Sequence, residues 1–128
     1  MVIASQEAAR NMHDSGRIIS ISSTNADRMP FAGGAVYAMS KAALVGLTKG
    51  LARDLGPRGI TVNNVQPGPV DTEMNPDNTD FATSLKPLMT VGHYGQVEEI
   101  ASFVAYLAGP EAGYINGASL MIDGGFSA

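Results

Sequence analysis

The stretch "LARDLGPRGITVNNVQPGPVDT", residues 51–72, contains the end of a helix, a strand and a loop in direct succession. Its first residues continue an apolar helical pattern over residues 35–55. Gly56 and the proline after it end this helix, since glycine suits the left-handed residue beyond a helix. The β-branched run of residues 59–65 predicts a buried strand. The prolines of residues 66–80 predict a loop after that strand.

The rest of the chain repeats this alternation of helix and strand. Two further short apolar runs predict strands at residues 16–22 and 119–123, and the intervening segments predict helices at 2–13, 81–90 and 97–109 and a loop at 23–34. Such an alternation forms right-handed crossovers and a parallel sheet. We therefore predict an α/β fold with about three parallel strands and flanking helices. Because three strands are few for such a sheet, we expect a further strand beside the first one.

Composition limits the classes of protein. The chain has 128 residues, 45% of them hydrophobic and 16% charged, which is typical of one folded domain. A net charge of −4 without a basic cluster argues against a nucleic-acid partner, and no apolar run could span a bilayer. The chain has no cysteine, no metal-ligand pattern and no signal-peptide pattern. We therefore expect a cytoplasmic protein without a metal, membrane or nucleic-acid partner.

Tyr37 and Lys41 are the first candidates for chemistry. They stand four residues apart in the segment "YAMSKAAL" and so share one face of the predicted helix. An ammonium group favours the ionised form of a nearby phenol, which makes the pair a sensible proton-transfer device. Tyrosine and lysine also occur at this spacing by chance, so the pair alone does not settle the matter.

The ends of two predicted strands add context. Ser22 and Ser23 end the strand of residues 16–22, and the proline-rich loop of residues 66–80 follows the next strand. Sites in open parallel sheets lie at the carboxyl ends of the strands. A hydroxyl at one end can therefore bind a substrate carbonyl beside the phenol of Tyr37.

The segments "GRIISISS", "YAMSKAAL", "LARDLGPRGITVNNVQPGPVDT" and "GQVEEIASFVAYLAGPEAGYINGASLMIDGG" together resemble the short-chain dehydrogenase/reductase family. They follow the family order and cover nearly all of the chain. The resemblance implies the C-terminal half of a Rossmann-like doubly wound parallel sheet. Residues 1–128 would then form a single partial domain that lacks the N-terminal dinucleotide-binding half, and the sequence indeed has no G-x-G turn.

The resemblance also implies roles for individual residues. Tyr37 would be the acid and base, Lys41 would promote its ionisation and hold the ribose hydroxyls of the nicotinamide, and Ser23 would orient the substrate carbonyl. The nicotinamide pocket would be lined by Pro67, Gly68, Val70 and Thr72. The cofactor would be NAD or NADP, with weak or absent binding by this chain alone. The substrate would be a small carbonyl compound or alcohol, and the protein a homo-oligomer.

Some residues leave alternatives open. The spacing between Ser23 and Tyr37 is one residue longer than is usual in the family, so Thr24 is a rival for the role of Ser23. His93 stands where the family commonly has arginine, and we interpret it as a loop or subunit-contact residue. Gly46 and Gly50 indicate either close packing within the chain or a contact between subunits.

Two classes of function follow. The first is an NAD(P)(H)-dependent oxidoreductase, truncated here, that reduces a carbonyl or oxidises an alcohol. The second is a non-catalytic module that binds a nucleotide such as cyclic-di-GMP, as the resemblance suggests, or that dimerises. An exposed sheet edge would favour self-association.

Overall fold

The chain folds into four helices and three strands, and a computed structural model describes all of residues 1–128. The helices are α1 (Val2–Asn11), α2 (Ala35–Leu55), α3 (Asp80–Leu85) and α4 (Val97–Ala108), and the strands are β1 (Arg17–Ile21), β2 (Thr61–Pro67) and β3 (Ser119–Ile122). Short 3-10 turns follow β1, α2, α3 and α4. All seven predicted elements are present, with bounds that differ by a few residues.

The three strands form one parallel sheet in the order β1-β2-β3. Ile19 of β1 pairs with Asn63 of β2, and Val65 of β2 pairs with Leu120 of β3. The predicted α/β fold of three parallel strands with flanking helices is therefore confirmed. One edge of β1 has no strand beside it within this chain. The further strand that we expect at that edge stays a prediction.

The central strand β2 is buried on both faces even though it carries four polar side chains, Thr61, Asn63, Asn64 and Gln66. Asn63 donates from Nδ2 to the carbonyl oxygen of Ile115 at 2.7 Å, and its Oδ1 accepts from the amide of Ala118 at 3.1 Å. Gln66 donates from Nε2 to Asp27 at 2.7 Å. Because buried polar groups are costly unless they are hydrogen-bonded, these side chains hold the neighbouring loops to the sheet.

The end of α2 differs from the prediction. We predicted Gly56 as the left-handed residue beyond the helix, but Gly56 keeps a right-handed conformation with φ −53° and starts a 3-10 turn. The left-handed residue is Gly59, with φ 68°. Proline fits the first turn of a helix, so Pro57 tightens the chain into one more turn before it reverses.

Two other predicted bounds shift for local reasons. The strand predicted at 59–65 runs from Thr61 to Pro67, because the left-handed turn at Gly59 delays its start. The helix predicted at 81–90 is α-helical only to Leu85 and continues as a 3-10 turn, since Pro87 cannot donate to the helical ladder.

The outer face of α2 is open. A Cβ atom added at Gly46 or Gly50 would meet nothing within 4 Å, so these glycines do not serve close packing within the chain. A contact between subunits remains as the other interpretation. Neither α2 nor any other helix is both long and apolar enough to cross a membrane.

Candidate active site

Tyr37 lies in the first turn of α2, where the loop after β1 enters the helix. Its side chain is 48% exposed. Lys41 follows one turn later, and its Nζ lies 5.4 Å from the centroid of the Tyr37 ring. The predicted pair therefore shares one helix face, with the cation beside the aromatic ring.

Three consecutive residues with hydroxyl groups follow β1, and the fold gives each a different position. Ser22 is buried and donates from Oγ to the carbonyl oxygen of Lys41 at 3.2 Å, which fastens the strand to α2. Thr24 is buried as well and donates to the carbonyl oxygen of Pro67 at 3.3 Å. Ser23 accepts from the amide of Asn25 at 3.1 Å and lines the cavities described below together with Tyr37. Ser22 also lines the larger cavity and Thr24 the smaller one, but Ser23 alone of the three lines both.

The loop after β2 is held on both sides. Gly68 donates from its amide to the carbonyl oxygen of Ile122 at 3.0 Å, and the amide of Asp71 donates to the carbonyl oxygen of Gly95 at 2.9 Å. A Cβ atom at Gly68 would lie 2.6 Å from the Cβ of Asp123, so only glycine lets this loop approach the end of β3. The loop is thus a rigid edge of the site.

A cavity of about 740 Å³ opens between these loops and α4. Its polar residues come from the loops after β1 and β2 and from the first turn of α2, and include Ser23, Tyr37, Thr72 and Asn75. Its apolar wall comes from Ile21 at the open edge of β1 and from one face of α4, formed by Val97, Ile100, Ala101, Val104, Ala105 and Ala108.

A second, smaller cavity of about 210 Å³ adjoins the first. Phe31 and Phe81 meet edge to face in its wall, with ring centroids 6.2 Å apart and planes at 76°. Leu85 and Phe126 complete the apolar lining. A space of this size, bounded by aromatic rings, suits one small organic group.

The C-terminal segment closes the second cavity from behind. Phe126 is only 2% exposed and packs with Ala82, Leu85, Met89 and Tyr94. Arg28 donates to the carbonyl oxygen of Phe126, and its guanidinium carbon lies 5.5 Å from the centroid of that ring. Arg28 also donates to the carbonyl oxygen of Ala128 at 3.5 Å. This loop residue therefore holds the tail in place.

Most residues predicted from the sequence converge on this site. The larger cavity is lined by Ser23, Tyr37, Pro67, Gly68, Val70 and Thr72. Lys41 does not line it, but faces a separate hollow beside α1 and reaches the site only across the Tyr37 ring. His93 lies outside both cavities, and its Nδ1 is 2.9 Å from the carbonyl oxygen of Tyr94. No group of histidines and carboxylates is placed to hold a metal ion.

Sequence reasoning missed two parts of the site. Asn75 lines both cavities but lies in the loop predicted at residues 66–80, where no pattern distinguishes it from the other polar residues. The aromatic wall of the smaller cavity was not predicted, because Phe31, Phe81 and Phe126 come from three separate segments. The only available signal was the rarity of aromatic residues, which form 6% of the chain.

Tyr94, which packs against Phe126 behind the smaller cavity, has a perturbed pKa. Burial raises the pKa of its phenol above the ordinary value of 10.0. The side-chain amide of Asn75 opposes this rise, and the carboxylate of Asp77 adds to it. The Tyr94 hydroxyl has no hydrogen-bond partner of normal geometry.

Comparison with known proteins places this geometry in context. Residues 1–127 match a family model described as "Enoyl-(Acyl carrier protein) reductase". The cyclic-di-GMP-binding biofilm dispersal mediator protein of Escherichia coli K12 is 58% identical over 125 residues, which cover 98% of this chain and 53% of that protein.

Two solved structures superpose closely on this chain. A short-chain dehydrogenase/reductase from Serratia marcescens BCRC 10948 superposes with a TM-score of 0.98 at 77% identity, covering 99% of this chain and 52% of that one. BdcA in complex with NADPH gives a TM-score of 0.94 at 58% identity, covering 96% and 50%. The chain thus spans about half the length of the proteins that it matches.

Proposed function

Because the chain belongs to the short-chain dehydrogenase/reductase family, we propose that it provides the catalytic half of an oxidoreductase that uses NAD(P)(H) to interconvert a carbonyl and an alcohol. The observation that carries the proposal is the meeting of two cavities at Ser23 and Tyr37. The larger one would receive the nicotinamide end of the cofactor, and the smaller one would receive the substrate.

The residues of the larger cavity fit a nicotinamide. Its wall is largely apolar, as a flat aromatic ring requires, and Thr72 and the backbone of Val70 offer polar groups for a carboxamide. The glycine at position 68 keeps the loop that lines this cavity close to the end of β3. NADPH in complex with BdcA supports this choice of cofactor. The phosphates and adenosine would be held by the half of the fold that lies outside these 128 residues.

The chemistry of this chain is the transfer of one proton. The bound cofactor would supply or remove the hydride at the carbonyl carbon. In reduction, the carbon–oxygen π bond breaks, and Tyr37 Oη donates its proton to the oxygen as negative charge develops there. Ser23 Oγ donates a hydrogen bond to the same oxygen and fixes its position. The ammonium of Lys41 lies beside the Tyr37 ring and stabilises the phenolate that remains.

A fusion protein tests the proposal. The part of the Serratia marcescens reductase that residues 1–128 do not match is joined to this chain, which restores a full-length fold at a highly similar seam. We expect the fusion protein to bind NADPH in a fluorescence titration and to reduce simple ketones. Tyr37→Phe should lower kcat by about 10² to 10⁴ and leave NADPH affinity nearly unchanged.

Tyr106→Phe is the matched control, since Tyr106 is also 48% exposed but lines neither cavity. Equal loss of activity in both variants, or full activity in Tyr37→Phe, would contradict the assignment.

The second candidate is a module that binds a cyclic dinucleotide without catalysis. The name of the Escherichia coli relative supports it, because that protein is described as cyclic-di-GMP-binding. The same fusion protein distinguishes the two candidates. Saturable cyclic-di-GMP binding with no ketone reduction would favour the module, whereas reduction that depends on Tyr37 favours the oxidoreductase.

A further inference from the structure

A polar groove lies at the C-terminal part of α2, away from the two cavities of the proposed active site. It has a volume of about 910 Å³ and separates the end of this helix from the residues that precede β3. Lys49 and Arg53 line it from α2, and Asn116 lines it from the other side. The remaining lining residues are glycine, alanine and proline, and no carboxylate is among them. The groove therefore offers positive charge without negative charge.

Lys49 and Arg53 differ from the other cations of the chain because they have no partner within it. The other six of the eight basic residues each contact an acidic side chain, a backbone carbonyl or an aromatic ring: Arg10, Arg17, Arg28, Lys41, Arg58 and Lys86. Lys49 and Arg53 stand four residues apart, so their side chains are neighbours on one helix face. In a chain of net charge −4, this pair creates a local patch of positive potential.

The dipole of α2 accounts for only one of these two positions. A cation is favoured in the last turn of a helix, where Arg53 stands. Lys49 lies six residues before Leu55, the last residue of α2, and the effect of the dipole falls off within one turn. Stabilisation of the helix therefore does not explain the pair.

Asn116 adds a neutral donor to the two cations. Its Oδ1 accepts from the amide of Val62 at 2.8 Å, which fixes the side chain and engages its acceptor. Its Nδ2 makes no hydrogen bond within the chain, and a Cβ atom added at Gly56 of the groove would lie 3.9 Å from it. The three polar side chains of the groove thus present free donors, and the one acceptor among them is in use.

We propose that this groove binds the phosphate group of a small molecule, with Lys49, Arg53 and Asn116 as its donors. Ionised phosphate oxygens are charged acceptors, which a lining of free donors requires, and both an ammonium and a guanidinium bind them well. A volume of about 910 Å³ leaves room for the organic part of such a ligand. The inference does not rest on the proposed function, because the groove shares no residue with the two cavities of the proposed active site.

Inorganic pyrophosphate tests the inference with the fusion protein defined above. Excess NADPH keeps the probe out of the cofactor site, and binding is measured by isothermal titration calorimetry at low salt. Lys49→Gln and Arg53→Gln remove a charge but keep a donor, so each should weaken pyrophosphate binding about three- to tenfold. Arg10→Gln is the matched control, because this helix cation pairs with Glu7 and lines none of the cavities. Its affinity for pyrophosphate should stay within about twofold of the unsubstituted protein.

Asn116→Asp is a second test that preserves the structure of the groove. The new carboxylate still accepts from the Val62 amide, but it replaces the Nδ2 donor with a negative charge. We expect pyrophosphate binding to weaken at least about tenfold, with little change in urea unfolding. Cyclic-di-GMP, titrated in the same way, identifies the source of the phosphate. Binding that the same variants weaken indicates a cyclic dinucleotide, whereas binding of pyrophosphate alone indicates a phosphate monoester or diphosphate.

The variants decide between support and rejection. Weaker pyrophosphate binding in the Lys49, Arg53 and Asn116 variants, with binding retained in Arg10→Gln, supports the groove. The inference is overturned if the unsubstituted fusion protein does not bind pyrophosphate, or if all variants bind it equally well. It is also overturned if Lys49→Gln/Arg53→Gln converts an oligomer to a monomer in light scattering, because the two cations would then serve carboxylates of a second copy.

Discussion

Thr24 donates a hydrogen bond from its Oγ1 to the backbone carbonyl oxygen of Pro67 across 3.3 Å. This bond joins the segment after β1 to the last residue of β2, so the two strand ends that border the site are held together. It also commits the Thr24 hydroxyl, which is 1% exposed, to the backbone. Thr24 lines only the smaller cavity, whereas Ser23 lines both, which favours Ser23 over Thr24 for the predicted role.

Removing each of these two hydroxyls in turn should distinguish a role in stability from a role in activity. Thr24→Val keeps the shape but leaves the Pro67 carbonyl without its partner, so the free energy of unfolding should fall by about 1 to 2 kcal/mol with activity retained. Ser23→Ala should unfold almost as the unsubstituted fusion protein does and lose at least about tenfold in kcat. Urea unfolding and ketone reduction measure the two effects. A larger kcat loss in Thr24→Val than in Ser23→Ala would assign the role to Thr24.

Gly68→Ala should disturb the site through its backbone. The added Cβ would lie 2.6 Å from the Cβ and 2.7 Å from the Cα of Asp123, which leaves no room without a shift of the loop or of β3. We expect a loss of about 1 to 3 kcal/mol in the free energy of unfolding and weaker NADPH binding. Gly46→Ala is the control, since a Cβ there meets nothing and alanine favours a helix by about 0.5 to 1 kcal/mol. If Gly68→Ala and Gly46→Ala had the same free energy of unfolding, the loop after β2 would be shown to shift without a cost in stability.

The open face of α2 provides a test of self-association. If this face packs against a second copy of the chain, leucine at Gly46 and Gly50 should block the contact, while alanine at either position is a milder change. We expect the fusion protein to be oligomeric and the Gly46→Leu/Gly50→Leu variant to shift to monomer, as measured by light scattering during gel filtration. An oligomer that persists in the double variant would place the subunit contact elsewhere.

Tyr94 should make stability depend on pH only in the alkaline range. Its pKa is raised above 10.0 in the folded protein, so below pH 10 both folded and unfolded states keep the proton. Above pH 10 the unfolded state loses the proton while folded Tyr94 retains it. The free energy of unfolding should therefore fall as pH rises, by at most about 1.4 kcal/mol per pH unit from this group.

Tyr94→Phe isolates this contribution. Removal of a buried hydroxyl without a hydrogen-bond partner should raise the free energy of unfolding at pH 7 by up to about 1 kcal/mol and flatten its decline above pH 10. Tyr114→Phe, at a fully exposed position, should change neither. Urea unfolding at pH 7 and pH 10.5 is the measurement. A strong loss of stability at pH 7 would show that the hydroxyl has a partner in solution.

The fold could be predicted largely because its signals are local. The β-branched residues of β2 and the long apolar pattern of α2 each indicate their element without knowledge of the rest of the chain. The prediction of Gly56 as a left-handed residue was wrong because the same glycine and proline also permit one further 3-10 turn, and only the packed structure decides where the chain reverses.

The site could be predicted where it follows strand ends and not where it depends on loop folding. Ser23 directly follows one predicted strand and Thr72 lies in the loop after the next one, so topology brings them to the same edge of the sheet. Asn75 reaches the cavities because the chain folds back on Thr72, and Phe126 reaches the aromatic wall because Arg28 holds the tail. Neither arrangement has a sequence period that could reveal it.

The position of the C-terminal residues bears on how the protein should be handled. Phe126 fills the back of the smaller cavity, and the Ala128 carbonyl is still within reach of Arg28. A purification tag attached after Ala128 would begin beside Arg28, and we expect it to compete for the guanidinium that holds Phe126 in the aromatic wall. Samples tagged in this way would show weakened substrate binding for reasons unrelated to Tyr37, so affinity tags belong at the opposite end of the fusion protein.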